Sequence, residues 1–230
     1  MGGYARSMPR TTRYDALAVR IYRVLIDPLL WTLRPKIARL CVALGARDVL
    51  DIASATGAQC RAFGRGGVRA VGVDLSTAMI ETARRIGGRC VRYVQGSAYE
   101  LPFPTGTFDA TLLLLALHEH TEAERTTMLG EALRVLRPGG HLILVDYTEP
   151  KHARLHLAWQ LIRWIEHLAG PEHRSGFNSF VARGSLDGFL ARHGIEPVQR
   201  FRAHLGAIGI AVAGKDPDSK TAAVGPRSSF

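Results

Sequence analysis

Three features of the chain predict an α/β fold in which strands alternate with helices. An aliphatic run, Val49-Leu50-Asp51-Ile52, opens into a turn of small residues, Ala53-Ser54-Ala55-Thr56-Gly57. A second run, Ala70-Val71-Gly72-Val73-Asp74, ends in another acid seventeen residues after Gly57. Further on, Phe108 to Leu115 forms a long apolar run, followed by a helix-start signal and a third aliphatic run at residues 141–147. Strand, tight turn, helix and strand make a βαβ unit. Such units hold ligands at the carboxyl ends of their strands.

The elements follow in order. Residues 1–13 carry charges without an apolar core, so they read as a flexible N-terminus and not as a signal peptide. Residues 14–46 read as a leading helical segment with Leu17, Ile21, Val24, Leu25, Leu29, Leu30 and Leu33 as apolar positions, broken near Pro28 and Pro35. Residues 91–95 form a third strand, and the run from Phe108 suits a central strand buried on both faces. Thr121 and Glu124 are spaced as a capping box. The helix they open should reach Leu136, with Met128, Leu129, Ala132, Leu133 and Leu136 on its apolar face. Arg137-Pro138-Gly139-Gly140 should end it before a fifth strand at 141–147. An insertion at 153–193 reads as two helices, 153–168 with Leu157, Leu161, Trp164 and Leu168 on one face, and 179–193. Strands near 197–202 and 207–213 should complete the sheet, leaving 215–230 as a polar, disordered tail.

At 230 residues the chain suits one domain, spanning 14–214. Its net charge is +10, with a pI near 10.1. Residues 1–40 hold eight basic side chains against Asp15 and Asp27. That excess fits attraction to an anionic membrane surface or an acidic partner. No aromatic-interleaved basic run or recognised RNA-binding module accompanies it, so nucleic acid is not the expected partner. Cys41, Cys60 and Cys90 lack Cys-x-x-Cys spacing and suggest neither a disulfide framework nor a metal site. No apolar run approaches the roughly twenty residues a bilayer span needs. The expectation is a cytoplasmic protein, soluble or membrane-peripheral, of unspecified oligomeric state.

Asp74 falls where a carboxylate accepts hydrogen bonds from both hydroxyls of a ribose. Dinucleotides and S-adenosylmethionine compete for this geometry. A dinucleotide fingerprint needs Gly-x-Gly-x-x-Gly, because pyrophosphate must touch main-chain amides. Only Gly57 is present here, so a dinucleotide-dependent oxidoreductase is not expected. S-adenosylmethionine has no phosphate, and its cationic sulfonium and amino-acid tail favour a carboxylate where Asp51 stands.

Asp51-Ile52-Ala53-Ser54-Ala55-Thr56-Gly57 resembles motif I of the class I methyltransferases, usually Asp-x-Gly-x-Gly-x-Gly. Ala53 matches a common variant. Ala55 departs from the pattern, replacing the glycine over which the methionine part of the donor lies. Gln95-Gly96-Ser97-Ala98-Tyr99-Glu100-Leu101-Pro102-Phe103 resembles the Gly-Asp-Ala-x-x-Leu-Pro-Phe segment of the ubiquinone/menaquinone C-methyltransferase-like (methyltransferase type 11) group. Ser97 stands where that group has an Asp accepting from the adenine amino group. Leu136 to Gly140 matches the group's Leu-x-Pro-Gly-Gly phrase. The resemblance implies a Rossmann-like, seven-stranded, mostly parallel sheet flanked by helices, leading helices that cover donor and acceptor, and the 153–193 insertion as substrate lid. It implies Asp51, Ala53, Ser54, Ala55, Gly57 and Asp74 as donor contacts, joined by Leu75 and Met79 after the second strand, Gly96, Ser97 and Ala98 after the third, and Leu115 after the fourth.

The expected activity is methyl transfer from S-adenosylmethionine to a small molecule. Acceptor classes in order are a quinone precursor or related aromatic carbon, a phospholipid or other amine, and a specialised metabolite. The alternative is a catalytically weakened scaffold serving as a binding or regulatory protein, which the changes at Ala55 and Ser97 would fit. Methyl transfer mainly needs alignment of donor and acceptor with water excluded. Where the acceptor must lose a proton, His118, just past the fourth strand, is the candidate base. His120, Tyr147, Trp159 and Arg163 are the candidate substrate contacts. His118 and His120 alone lack a third ligand, so no metal is expected.

Overall fold

The computed structural model describes Val19, residues 22–149, Trp159 and residues 171–216. Strands β1 (Asp48–Ile52), β2 (Arg69–Asp74), β3 (Val91–Gln95), β4 (Phe108–Leu114), β5 (Leu136–Tyr147), β6 (Gln199–Ala203) and β7 (Ile208–Gly214) form one sheet. Their order is β3-β2-β1-β4-β5-β7-β6. The first five strands pair in parallel, whereas β7 runs antiparallel to both β5 and β6. This is the seven-stranded, mostly parallel, Rossmann-like sheet that the resemblance implied. Strand order reverses between β1 and β4, which opens a crevice at the carboxyl ends of those strands.

Helices α1 (Leu33–Ala43), α2 (Ala58–Arg65), α3 (Thr77–Ile86), α4 (Glu122–Val135), α5 (Pro171–Ala182) and α6 (Ser185–Arg192) flank the sheet. β4 reads as a buried central strand because it is one: Ala110, Leu112 and Leu113 are fully buried. Each such leucine contributes about 1.5–3 kcal/mol by leaving water. The capping box of α4 forms as expected, with Thr121 Oγ1 accepting from the Glu124 amide and the Glu124 carboxylate accepting from the Thr121 amide. Met128, Leu129 and Ala132 pack inward, and Leu136, buried with them, is the first residue of β5.

Several boundaries differ from the sequence reading. Pro35 does not break a helix; it lies in the first turn of α1, where a missing amide leaves no hydrogen bond unmade. Ahead of α1 come a π turn at Tyr22–Ile26 and one helical turn at Asp27–Leu29 containing Pro28. Val24 is exposed, whereas Leu30 and Leu33 are buried. β5 starts at Leu136 and not at His141: Phe108 pairs with Leu136 and Ala110 with His141, so the Pro-Gly-Gly segment forms an irregularity within the strand. The second insertion helix is divided, because Gly184 takes a left-handed conformation (φ +84) between α5 and α6. Lys215 does not belong to a disordered tail. It is buried, its amide donates to the Gly140 carbonyl, and its Nζ donates to the carbonyls of Leu133 (2.8 Å) and Leu136 (2.7 Å). The readings at 1–13, at Leu17 and Ile21, at most of the 153–168 helix including Arg163, and at 217–230 lie outside the described residues. Among the described residues, no helix is long and apolar enough to cross a membrane.

Candidate active site

The crevice begins at the turn after β1. Ala53 (φ +58), Ala55 (φ +46) and Gly57 (φ +71) all adopt left-handed conformations there. A Cβ at Gly57 would run into the Tyr93 ring, whose hydroxyl donates to the Gly57 carbonyl (3.2 Å), so glycine is required on two counts. Neither alanine has that exemption, and each carries about 1–2 kcal/mol of strain. Ala55 packs with Val19 and Met79. Ala55→Gly is therefore expected to keep or tighten ligand affinity and to change stability by less than about 1 kcal/mol, because relief of strain opposes greater chain entropy. Calorimetry and a melting curve check this; clearly weaker binding would show that the turn is adapted to alanine.

Two carboxylates flank the turn. Asp51 is buried and accepts from the Cys60 thiol (3.3 Å). Burial raises its pKa to about 7, opposed by that hydrogen bond and the charge of Arg34. Asp74 at the end of β2 accepts from the amides of Ala55 (2.8 Å) and Ser76 (2.9 Å), which oppose the upward shift imposed by burial. Each oxygen retains acceptor capacity for a further partner. A cation brought beside either carboxylate favours its ionised form.

Arg34 was not singled out by the sequence. It reaches the crevice from α1, tied to Asp27 by an ion pair (2.7 Å), while Thr56 Oγ1 donates to the other Asp27 oxygen (3.1 Å). Arg34, Asp51, Ala53, Ser54, Thr56 and Gln59 line one small cavity. Arg34 Nε, Ser54 Oγ and Gln59 Oε1 are each buried without a hydrogen-bond partner. Orphaned groups of this kind cost about 1–3 kcal/mol apiece unless something supplies the missing bonds.

The remaining predicted donor contacts lie around the same edge. Leu75 and Met79 follow β2, with Met79 buried and its amide donating to the N-cap hydroxyl of Ser76. Gly96 packs against Pro102, where a Cβ would sit at 3.2 Å. Ser97 Oγ already accepts from the Tyr99 amide (3.1 Å), and Ala98 is partly buried against the core. Leu115, left-handed at φ +51, donates its amide to the Val145 carbonyl and ends β4 abruptly.

Beyond β4 a 3-10 turn, Leu117–Glu119, carries His118. His118 is buried, and its Nδ1 lies 2.9 Å from Asp146 Oδ1. Asp146, fully buried at the end of β5, also accepts from the amides of Leu117, His118 and Tyr147. An ionised carboxylate so engaged accepts from the ring, which orients Nδ1 toward Asp146 and turns Nε2 away from it. Around His118 stand Tyr147 (4.7 Å between ring centroids), His173 (5.5 Å) and Phe177 (6.2 Å), with Trp159 edge-on to Tyr147. Tyr147 and Phe177 thus pack against His118, and Trp159 packs against Tyr147 and Phe177, in one buried aromatic cluster. His120 does not: its Nδ1 pairs with the Tyr99 hydroxyl (2.9 Å), and burial lowers its pKa.

A buried arginine ties the 3-10 turn to α5. Arg125, fully buried, donates from Nε to the Leu117 carbonyl (2.7 Å) and from Nη2 to the Gly176 carbonyl (2.8 Å). At Gly176 a Cβ would meet the Glu119 carbonyl oxygen at 2.5 Å, so α5 lies directly on the 3-10 turn. From sequence, Asp146 could be expected to face the pocket and the six histidines between Lys151 and His204, His173 among them, to line one, but their association with His118, and that of Phe177, depends on long-range packing.

Residues 50–144 match the family model for the methyltransferase domain of type 11 (Methyltransf_11). The demethylmenaquinone methyltransferase of Tropheryma whipplei (strain Twist) is 34% identical over 136 residues, 54% of each chain. That of Thermus thermophilus is 31% identical over 133 residues, 56% of this chain and 60% of the relative. The chain thus spans about half the length of the curated relatives it matches. Among solved structures, an O-methyltransferase family protein from Burkholderia thailandensis superposes with TM-score 0.67 at 19% identity, covering 90% of this chain and 62% of that one. A SAM-dependent methyltransferase from Aquifex aeolicus gives 0.59 at 18% identity, covering 85% and 97%. The structural likenesses speak for the fold.

Proposed function

We propose that this chain, whose residues 50–144 form a class I methyltransferase domain of the type 11 family, transfers a methyl group from S-adenosylmethionine to a small molecule. The observation that carries this reading is one small cavity lined by Arg34, Ser54, Gln59 and Asp51, the first three of which each carry a buried polar atom without a hydrogen-bond partner. The donors and acceptors of that set match a free amino acid group, for which the cavity of about 10 Å³ would have to open: Arg34 and Ser54 would hold its carboxylate, and Gln59 and Asp51 its ammonium. Asp74 would accept from the ribose, and the backbone around Gly96 to Ala98 would border the adenine. S-adenosylmethionine, when bound, supplies a methyl group already activated by its sulfonium.

The chain's own residues then align and deprotonate the acceptor. The cage of Tyr147, Trp159 and Phe177 favours a flat, apolar acceptor. His118 Nε2 would take the proton from an acceptor hydroxyl or acidic carbon, and Asp146 would hold the ring in the required tautomer and stabilise the imidazolium formed. The names of the curated relatives put a quinone precursor first among aromatic acceptors; an amine or another metabolite stays second. Retention of Asp51, Gly57 and Asp74 favours an enzyme over a regulatory scaffold, a role that draws no support from relatives named as methyltransferases.

Titration calorimetry with S-adenosylmethionine, its demethylated product and NAD tests the donor assignment. The first two are expected to bind and NAD is not. Asp74→Ala should weaken binding by about 1.5–3 kcal/mol, the worth of a charged hydrogen bond; unchanged affinity removes Asp74 from the site, and absence of all binding overturns the proposal.

A further inference from the structure

We propose that His118, Glu119 and His173 form a binding site for a divalent first-row transition ion, with Zn²⁺ the closest chemical match. One ligand atom from each side chain lies within 4.8 Å of the other two. His118 Nε2 stands 4.0 Å from Glu119 Oε1, and His173 Nδ1 stands 3.9 Å from Glu119 Oε2. Metal–ligand bonds of about 2.0–2.2 Å place neighbouring ligand atoms roughly 3.3–3.6 Å apart in a tetrahedral set. Small rotations of the half-buried Glu119 and His173 side chains would close that difference.

The framework around the three residues is what makes the cluster a site. Asp146 holds Nδ1 of His118 and so turns Nε2 to the side where Glu119 lies, the carboxylate–histidine arrangement that orients imidazole ligands. His173 belongs to α5 and the other two to the 3-10 turn; Arg125 bolts these elements together, and Gly176 permits their contact. Two imidazoles and one carboxylate suit Zn²⁺, Co²⁺ or Ni²⁺ better than Ca²⁺ or Mg²⁺, which prefer all-oxygen shells. Three protein ligands would leave a coordination position open. The His118–His120 pair suggested by sequence spacing does not contribute, because His120 is engaged with Tyr99.

One consequence rests on the function proposed above. A single nitrogen cannot both ligate a metal and accept a proton, so metal at Nε2 would block deprotonation of the acceptor. Binding itself does not depend on that reading.

The test uses the full chain, stripped with chelator, then titrated with Zn²⁺ by calorimetry and with Co²⁺ by visible absorption. One ion per chain is expected, with the d–d bands of a four- or five-coordinate Co²⁺. Glu119→Gln and His173→Gln should each lower affinity by at least the roughly 10–100-fold seen when a ligand's orienting partner is removed. Wild-type affinity in both variants, or no stoichiometric binding, overturns the site, and the wild-type Co²⁺ spectrum decides even where a variant fails to fold. Donor binding measured on the same metal-free sample separates the two proposals: loss of one signal leaves the other standing.

Discussion

His118→Gln is expected to lower kcat by about 10²–10⁴-fold, the usual contribution of a positioned proton acceptor, with donor affinity little changed. On the proposed reading the loss falls on kcat, because His118 stands among the aromatic rings proposed for the acceptor, whereas the donor is proposed to sit around Asp51, Ser54 and Gln59. Asp146→Asn should act in the same direction through the ring. An amide can turn its N–H toward Nδ1, favour the other tautomer and withdraw the Nε2 lone pair. Asp146 also accepts three backbone amides around the 3-10 turn, so this variant should lose stability as well. Assaying formation of the demethylated donor product against aromatic hydroxyl and carbon-acid acceptors measures the effect. Full turnover in His118→Gln would remove the histidine from the chemistry.

Arg125→Met should cost about 3 kcal/mol of stability, near the lower end for removing one member of a buried charged network. The methionine fills much of the volume, so the cost lies in the hydrogen bonds. The Leu117 and Gly176 carbonyls lose their donors in a region closed to water, and Phe180 loses the guanidinium 4.9 Å above its ring. Glu122 is less affected because Arg192 still pairs with it (2.9 Å). For a domain of this size the thermal midpoint should fall by roughly 6–12 °C. A midpoint within a degree or two of wild type would mean that the turn and α5 are held together by packing alone.

Much of the parallel half of the sheet could be read from local pattern. The runs ending at Asp51 and Asp74 and the capping box at Thr121 express backbone geometry that neighbours in sequence determine. Boundaries failed where tertiary contact outweighed local signal. Pro35 looks like a breaker until its place in the first turn of α1 is known. Lys215 looks like the start of a polar tail, yet two carbonyls at the end of α4 and the start of β5 capture its ammonium. The site divides in the same way. Asp51, Gly57 and Asp74 lie within one βαβ unit and are legible from spacing. The partners of His118 lie 28 and 55 residues further along, at Asp146 and His173, and no local periodicity distinguishes His173 from the other histidines after β5.

The last strand among the described residues is not at the margin of the sheet. β7 lies between β5 and β6, pairing with His141 to Tyr147 on one side and with Gln199 to Ala203 on the other. While the chain is being synthesised, β5 therefore presents an open, apolar hydrogen-bonding edge until residues 208–214 have emerged. Such edges invite pairing with other chains. Holding Asp146 at the end of β5 thus depends on residues 208–214, so this edge of the crevice is completed only after the βαβ unit that carries Asp51 and Asp74 has had the opportunity to form.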